Sequence, residues 1–190
     1  MGPIDTRRGT AASKNAETLH VSVNRAPVLT LWAAVVAEQL GFGRDEALTM
    51  GRVVAGLNAY AKGRSLGIFK PAPAEVQRVR KRAVPGTQLQ IDLLHRAVPV
   101  IHTPQGLRAL SKDKPVDPDS VQRYLESKFG EALGPVEAAM NALARSLELE
   151  DLAARAFELY EAFRPEVPAG TRGWGAAGVL DLARIRAAGD

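Results

Sequence analysis

The chain has 190 residues and no cysteine. Disulfide bonds, thiolate metal sites and a cysteine nucleophile are therefore excluded. With 46% hydrophobic and 24% charged residues, the composition is that of a globular protein. A chain of this length can bury a sizeable core without cross-links.

Long apolar runs are also missing. Residues 1–16 lack the apolar stretch of about 7–15 residues that a signal peptide needs. The longest mostly apolar stretch, residues 28–40, is interrupted by Glu38 and Gln39, and it is shorter than the roughly 18 residues of a membrane span. The sequence predicts a cytoplasmic protein without membrane contact, in which residues 1–16 form a disordered basic arm.

The common motifs of catalysis and metal binding are absent. The three histidines, His20, His95 and His102, include no pair at the i, i+4 spacing of a helical metal site. The chain has no HExxH, GxSxG or SxxK motif either. We therefore expect no metal and no cofactor, and the sequence favours a non-enzymatic role. An enzyme whose site is assembled from dispersed residues, for example by histidines that meet in space, is the third alternative.

Positive charge is unevenly distributed along the chain. Residues 1–82 carry 13 basic and 6 acidic side chains, whereas residues 83–190 carry 12 and 15. Residues 117–166 alone hold 11 acidic and 5 basic side chains. We expect a single compact domain over residues 17–190. An alternative boundary at residues 111–116 would separate a basic part with a β-hairpin from an acidic helical part with a Gly/Pro-rich tail.

The hydrophobic pattern predicts a mostly helical α+β fold, with six to seven helices and one small antiparallel sheet. Alternation over residues 17–23 predicts an N-terminal strand for this sheet. A β-hairpin over residues 88–102 is predicted to complete it. Because proline cannot donate to a β-ladder, we expect Pro99 at an edge or a bulge.

Helices are predicted where apolar residues recur at i, i+3 and i+4 spacing. The pattern indicates an amphipathic helix over residues 28–40. The Thr103-Pro104 pair is typical of a helix start and predicts a short helix over residues 105–110. Further helices are expected over residues 47–62 and 71–83, in three acidic stretches that begin at residues 117, 134 and 150, and in a terminal turn capped by Asp181.

The helix predicted over residues 47–62 has a stripe of small residues at every fourth position. The stripe consists of Ala47, Gly51, Ala55 and Ala59. Such a stripe lets a second helix approach closely. Tight packing within the chain is one interpretation. The other is an interface with another protein or a second copy of the chain, formed by Gly51, Ala55 and Ala59.

Trp174 stands among the glycines and prolines of residues 164–178. Glycines beside a tryptophan allow the backbone to come close to the surface on which the ring packs. In one interpretation this tail docks Trp174 on its own domain. In the other, the tail presents Trp174 to a protein partner.

The densest positive charge lies in residues 62–82. The stretch that begins with Lys62 and Arg64 either ends a helix at Gly63 or cradles an anion. Four cations follow within residues 78–82. They form either a solvated helix face or a set of phosphate contacts. The candidate nucleic-acid-binding residues are Lys62, Arg64, Lys70, Arg78, Arg80, Lys81, Arg82 and Arg96.

The order of elements, three helices followed by a hairpin, resembles that of a winged helix-turn-helix, with His95 and Arg96 at the tip of the wing. The resemblance covers element order only, because a strand precedes the helices, the second helix is long for this motif, and Pro99 interrupts the wing. We therefore expect a nucleic-acid-binding protein, with DNA and a regulatory role favoured. The alternative is a protein-interaction or homo-oligomeric assembly module that uses the small-residue stripe or Trp174.

Overall fold

The computed structural model describes residues 19–65, 88–171 and 176–190, with side chains described only as far as Ala61 in the first range. The described helices are α1 (Arg25–Gln39), α2 (Arg44–Ser65), α3 (Pro118–Phe129), α4 (Leu133–Arg145), α5 (Leu149–Phe163) and α6 (Leu182–Ala187). The strands are β1 (His20–Val23), β2 (Gln88–Leu93), β3 (Arg96–Thr103), β4 (Gly106–Ser111), β5 (Lys114–Pro115) and β6 (Gly178–Asp181). The mostly helical α+β class is confirmed, with two small antiparallel sheets in place of one.

The number of helices differs slightly from the expectation. Five described helices have 12 residues or more, whereas α6 has six, so the described ranges hold slightly fewer full-length helices than the expected six to seven. The short helix predicted over residues 105–110 is wrong, because this segment forms β4. Thr103 Oγ1 donates to the Gly106 carbonyl oxygen at 2.7 Å, and Gly106 has a φ of 111°, which closes a tight turn. The helix predicted over residues 71–83 lies outside the described residues.

Helix α1 is buried on all sides. Every residue from 27 to 37 is buried, so the exposed face predicted for an amphipathic helix does not exist. Leu29 and Ala33, which lie outside the i, i+3, i+4 series that starts at Val28, are 2% and 0% exposed. A helix that is apolar all round belongs in the interior. Accordingly, α1 contacts α2, α3, α4 and α5.

Helix α2 packs directly on α1 through its small residues. A Cβ placed on Gly51 would lie 2.3 Å from the Thr30 carbonyl oxygen and 3.0 Å from the Ala34 nitrogen. Only glycine therefore permits the observed distance between the two backbones. Helix α2 continues through Ser65, so the helix end expected at Gly63 is wrong.

Trp32 joins α1 to α5. Its indole Nε1–H donates to the Ala156 carbonyl oxygen at 2.7 Å. Its ring meets the ring of Phe163 edge to face, with the centroids 5.3 Å apart. Both aromatic side chains are fully buried. The contact thus buries a large indole without leaving its N–H group unpaired.

Strands β2 to β5 form an antiparallel meander in chain order. Two of its turns, Leu94-His95 and Lys112-Asp113, have both central residues at positive φ. This backbone geometry matches the twist of a two-residue hairpin. The hairpin predicted over residues 88–102 is confirmed by the pairing of β2 with β3.

Pro99 lies within β3, which has neighbouring strands on both sides. It pairs with Gln90 of β2, whereas pairing with β4 starts only at Val100. The strand therefore has a partner on one side only at Pro99, so no ladder hydrogen bond is lost there. The expectation of an edge strand is nevertheless wrong, because β3 as a whole lies between β2 and β4.

The N-terminal strand β1 does not join the meander. It pairs with β6 in a separate two-stranded sheet, where His20 faces Asp181 and Val23 faces Gly178. The prediction that β1 and the hairpin form one sheet is therefore wrong. The cap predicted at Asp181 is confirmed, because its Oδ1 accepts a hydrogen bond from the Ala183 nitrogen at 2.8 Å.

Helices α3, α4 and α5 each bury one apolar stripe. Helix α3 begins as predicted, because Oδ1 of Asp117 accepts a hydrogen bond from the Asp119 nitrogen at 3.2 Å. Its buried residues are Val121, Leu125 and Phe129. None of the helices in the described ranges is both long enough and apolar enough to cross a lipid bilayer.

Candidate functional site

Most of the predicted nucleic-acid-binding side chains lie outside the described part. Lys62 and Arg64 belong to the last turn of α2 by their backbone, but their side chains are not described. Residues 62–87, here called the basic segment, hold seven basic residues and one acidic residue. The candidates outside the described residues are Lys70, Arg78, Arg80, Lys81 and Arg82. Trp174 also lies outside them, so its docking stays a prediction.

The described side chains have the opposite net charge. Residues 19–61, 88–171 and 176–190 carry 14 basic and 18 acidic side chains, which is a net charge of −4. The whole chain has a net charge of +4. Its positive charge therefore comes from the remaining residues, and the basic segment contributes +6 of it.

Arg96 is the predicted nucleic-acid contact whose side chain is described. Its Nη2 donates to Oδ1 of Asn58 in α2 at 3.1 Å, and its Nε is buried without a hydrogen-bond partner in the described part. The turn before it does not project as a wing. Leu94 is 2% exposed, and the His95 ring lies against Phe157 of α5, with centroids 6.5 Å apart. The expected wing tip thus consists of the buried Leu94 and the exposed His95, whose ring contacts α5, and Arg96 is tied to α2.

The small-residue stripe is used inside the chain. Gly51 and Ala55 are buried, and the space beside Gly51 is filled by the backbone of Thr30. Ala59 is half-buried. The stripe therefore packs within the chain, as in the first of the two interpretations given above. An assembly role for the stripe or for Trp174 stays a prediction.

The three histidines lie in separate places. His20 is in β1, His95 in the turn between β2 and β3, and His102 in β3, and all three are exposed. Over the ranges that the structure describes, no group of three or more histidine, aspartate or glutamate side chains could hold a metal ion. The described histidines therefore build no metal site.

A charged cluster at the α1–α2 connection has a structural role. Arg44 donates to Oε1 of Glu38 at 2.8 Å, to Glu137, and to Oε1 of Gln122 at 3.1 Å. Burial lowers the pKa of Arg44, but the hydrogen bonds and charges of Glu38 and Glu137 together raise it above its usual value. Because its partners come from α1, α3 and α4, Arg44 ties the start of α2 to three helices.

An open groove of about 510 Å³ lies beside the β3–β4 turn. Its walls come from the start of α2, the turn, strands β4 and β5, and the start of α3. The lining residues are Asp45, Thr103, Gln105, Arg108, Pro115, Val116, Asp117, Pro118 and Asp119. We call this concavity the Arg108 groove. Its volume falls within the range of small-molecule sites in proteins.

Arg108 is a buried charged residue, with 8% of its surface exposed. Its Nη1 donates to the Leu107 carbonyl oxygen at 2.8 Å. Its Nη2 lies 3.9 Å from Oδ2 of Asp45, whose side chain is 64% exposed, and this distance is too long for a hydrogen bond. A guanidinium has five N–H donors. Most of the Arg108 donors therefore have no acceptor at hydrogen-bond distance in the described part of the chain.

Acidic side chains border the same groove. Asp45, Asp117 and Asp119 line it, and all three residues are exposed. Asp117 is held by its cap hydrogen bond to the Asp119 nitrogen, and its Oδ2 lies 3.8 Å from Nη2 of Arg123. The groove thus combines one buried cation with three exposed carboxylates.

The groove has no local signal in the sequence. Its acidic residues Asp45 and Asp117 are far apart in the chain, and the predicted helix over residues 105–110 hides the position of Arg108. In a strand, Arg108 shares a face with Leu110, which is 3% exposed. A strand assignment would therefore have indicated a charged side chain at a buried position.

Comparison with known proteins adds no family. No family model matches the chain, and no curated protein or solved structure matches it either. The functional proposals below therefore rest on the basic segment and the Arg108 groove.

Proposed function

We propose that this protein binds nucleic acid, with DNA favoured, through the basic segment. The observation that carries the proposal is the separation of charge. The basic segment has seven basic residues and one acidic residue, whereas the described side chains have a net charge of −4. Proteins bind nucleic-acid backbones by neutralising phosphates with lysine and arginine, which releases counterions.

The negative charge elsewhere in the chain also favours the basic segment as the part that contacts nucleic acid. Residues 117–166 have a net charge of −6, and this charge repels phosphates most strongly at low salt. The basic segment begins in the last turn of α2 and ends directly before strand β2. We also propose that the protein is cytoplasmic, as the sequence predicts.

Fluorescence anisotropy with a short labelled DNA duplex, measured over a series of salt concentrations, tests the proposal. The logarithm of the binding constant should fall linearly with the logarithm of salt concentration, with a slope of about −0.9 for each phosphate neutralised. The combined change Arg78→Ala, Arg80→Ala, Lys81→Ala and Arg82→Ala should abolish most of the binding. Where residual binding is measurable, its slope should be smaller by about 3 to 4.

A matched control removes four cations from the described surface. Lys114, Arg145, Arg155 and Arg186 are all exposed, and changing them to alanine lowers the net charge by the same amount. This control variant should bind DNA almost as tightly as the unchanged chain. Equal losses in the two variants, or no binding by the unchanged chain at low salt, would contradict the proposal. A labelled single-stranded RNA measured in parallel decides between the nucleic acids, and tighter binding to RNA would overturn the preference for DNA.

A further inference from the structure

We propose that the Arg108 groove binds a small zwitterion, that is, a molecule with a carboxylate and an ammonium group a few bonds apart, such as a free amino acid or a dipeptide. The proposal rests on described residues alone and does not depend on nucleic-acid binding. Its three elements are a buried guanidinium, an acidic rim and the size of the groove.

Arg108 supplies the carboxylate-binding half of the site. Its side chain is 9% exposed and lines the groove. Burying a cation is costly unless an opposite charge balances it. Asp45 does this incompletely, because it lies 3.9 Å away and is itself 64% exposed. The half-buried Glu46 lies at the same turn, where a Cβ on Gly106 would be 3.1 Å from Glu46 Oε1 and 3.7 Å from Arg108 Nη1, but no hydrogen bond joins the two side chains. A ligand carboxylate can offer two oxygens to the planar guanidinium, which is the geometry that arginine binds best.

Asp117 and Asp119 supply the ammonium-binding half. Both carboxylates line the groove at the start of α3, and the cap hydrogen bond orients Asp117 before any ligand arrives. Carboxylates bind ammonium groups through charge-assisted hydrogen bonds. Together with Asp45 and Arg108 they give the lining a net charge of −2. A simple anion such as inorganic phosphate is therefore disfavoured, and a ligand with a positive charge of its own is favoured.

The volume of the groove is sufficient for a small molecule. At about 510 Å³ it accommodates an amino acid or a dipeptide. The β3–β4 turn beside it is fixed by the hydrogen bond between Thr103 and Gly106. Gln105 at this turn is exposed and adds a neutral amide to the lining. Because the turn is already ordered, ligand binding does not have to order it.

NMR titration of the full chain with three probes tests the proposal. Glycylglycine carries both charges, acetate carries only the carboxylate, and methylammonium carries only the cation. Glycylglycine should shift the Arg108 Nε–H signal and the backbone amides of Gln105 and Asp119, and the shifts should saturate. Acetate and methylammonium should bind about tenfold more weakly or worse. Equal affinity for acetate and glycylglycine, or no saturable shift with glycylglycine, would overturn the proposal.

Two variants locate the site. Asp119→Asn removes a rim charge at an exposed position and should weaken glycylglycine binding several-fold. Asp151→Asn is its matched control, because Asp151 is an exposed acid in the first turn of α5, and it should leave the affinity unchanged. Arg108→Lys keeps the charge but loses the planar fork, and should weaken binding about tenfold. If this variant fails to fold, Asp119→Asn still decides, because unchanged affinity there would contradict the proposal.

Discussion

Helix α1 and strand β4 are both enclosed by neighbouring elements, but the two enclosures differ in chemistry. Helix α1 is buried throughout residues 27–37 and contacts four other helices. Strand β4 lies between β3 and β5 and buries Arg108 beside an open groove. Around α1, burial stabilises the fold. Around β4, in our proposal, burial holds a charge in place for a ligand.

The surroundings of α1 and β4 also differ in how closely neighbouring elements pack. Where α1 meets α2, the backbones come within contact distance because Gly51 has no side chain. The polar group at this contact, the Thr30 hydroxyl, already donates to the Ala26 carbonyl oxygen at 2.9 Å. In the meander, the β3–β4 turn at Pro104-Gln105 is instead exposed beside the open groove. Close-packed interiors tolerate added volume poorly, whereas surface turns tolerate change. Substitutions in the two regions should therefore differ strongly in their effect on stability.

The largest effect is expected at Gly51. Its replacement by alanine would place a methyl group 2.3 Å from the Thr30 carbonyl oxygen, so α1 and α2 must move apart. We expect Gly51→Ala to lower the free energy of unfolding by about 3 kcal/mol or more. Urea denaturation followed by circular dichroism measures this loss.

Gly56 in the same helix is the matched control. Among the described residues, a Cβ at this position would meet nothing within 4 Å. Gly56→Ala should therefore raise the free energy of unfolding by about 0.5–1 kcal/mol, because alanine has the higher helix propensity. Similar losses in both variants would mean that α2 does not pack on α1 as described.

An intermediate effect is expected at Tyr160, next to α1. Burial raises the pKa of Tyr160 to about 12, although the charges of Arg25 and Arg164 act in the other direction. An unfolded tyrosine has a pKa of about 10. The folded state thus binds this proton more tightly, so the stabilisation is complete below about pH 10 and lost as the pH rises through about 12. The loss should be about 2–3 kcal/mol.

Tyr160→Phe should remove this part of the alkaline destabilisation. Unfolding free energies measured from pH 9 to pH 12 should then fall less steeply than in the unchanged chain. At pH 8 the cost of the substitution should be small, about 1 kcal/mol or less, because the Tyr160 hydroxyl donates a long 3.4 Å hydrogen bond to the Arg25 carbonyl oxygen. Identical pH profiles for the two proteins would contradict the burial of the phenol.

The smallest effect is expected in the meander, at the Lys112-Asp113 turn. Asp113 has a φ of 64°, a conformation that glycine adopts without strain and that two-residue hairpin turns favour at this position. Asp113→Gly should therefore raise the free energy of unfolding by at most about 1 kcal/mol. Lys114→Gly, in the neighbouring strand β5, should lower it slightly. A clear loss with Asp113→Gly, measured by urea denaturation, would make the turn as sensitive as the α1–α2 contact and remove the contrast between the two regions.

Local signals in the sequence predicted the elements they control. The hairpin over residues 88–102, the Asp117 cap and the Asp181 cap depend on neighbouring residues, and all three are present. Properties that depend on distant contacts were not predictable in this way. The alternation in β1 predicts a half-buried strand but not its pairing with β6. The i, i+3, i+4 pattern of α1 predicts one buried face, whereas the helix is buried on every face.

The two candidate sites also differ in how far the sequence predicts them. A charge count along the chain is sufficient to find the basic segment. The Arg108 groove depends on assigning β4 correctly and on bringing Asp45 and Asp117 to one place. Arg96 shows the opposite case, because its charge suggested an exposed contact while the fold ties it to Asn58.

The pairing of β1 with β6 has a consequence for the order of folding. His20 pairs with Asp181, which follows it by 161 positions, and this pairing closes one of the longest loops that the chain can form. Contacts between residues so far apart in sequence form slowly, because closing a long loop costs conformational entropy before the contacts stabilise the fold. During synthesis, β1 emerges first and has to wait for β6, with the apolar helix α1 directly behind it. The newly made chain therefore exposes the faces of α1 that α3, α4 and α5 later cover, and shielding α1 during synthesis should raise the yield of folded protein.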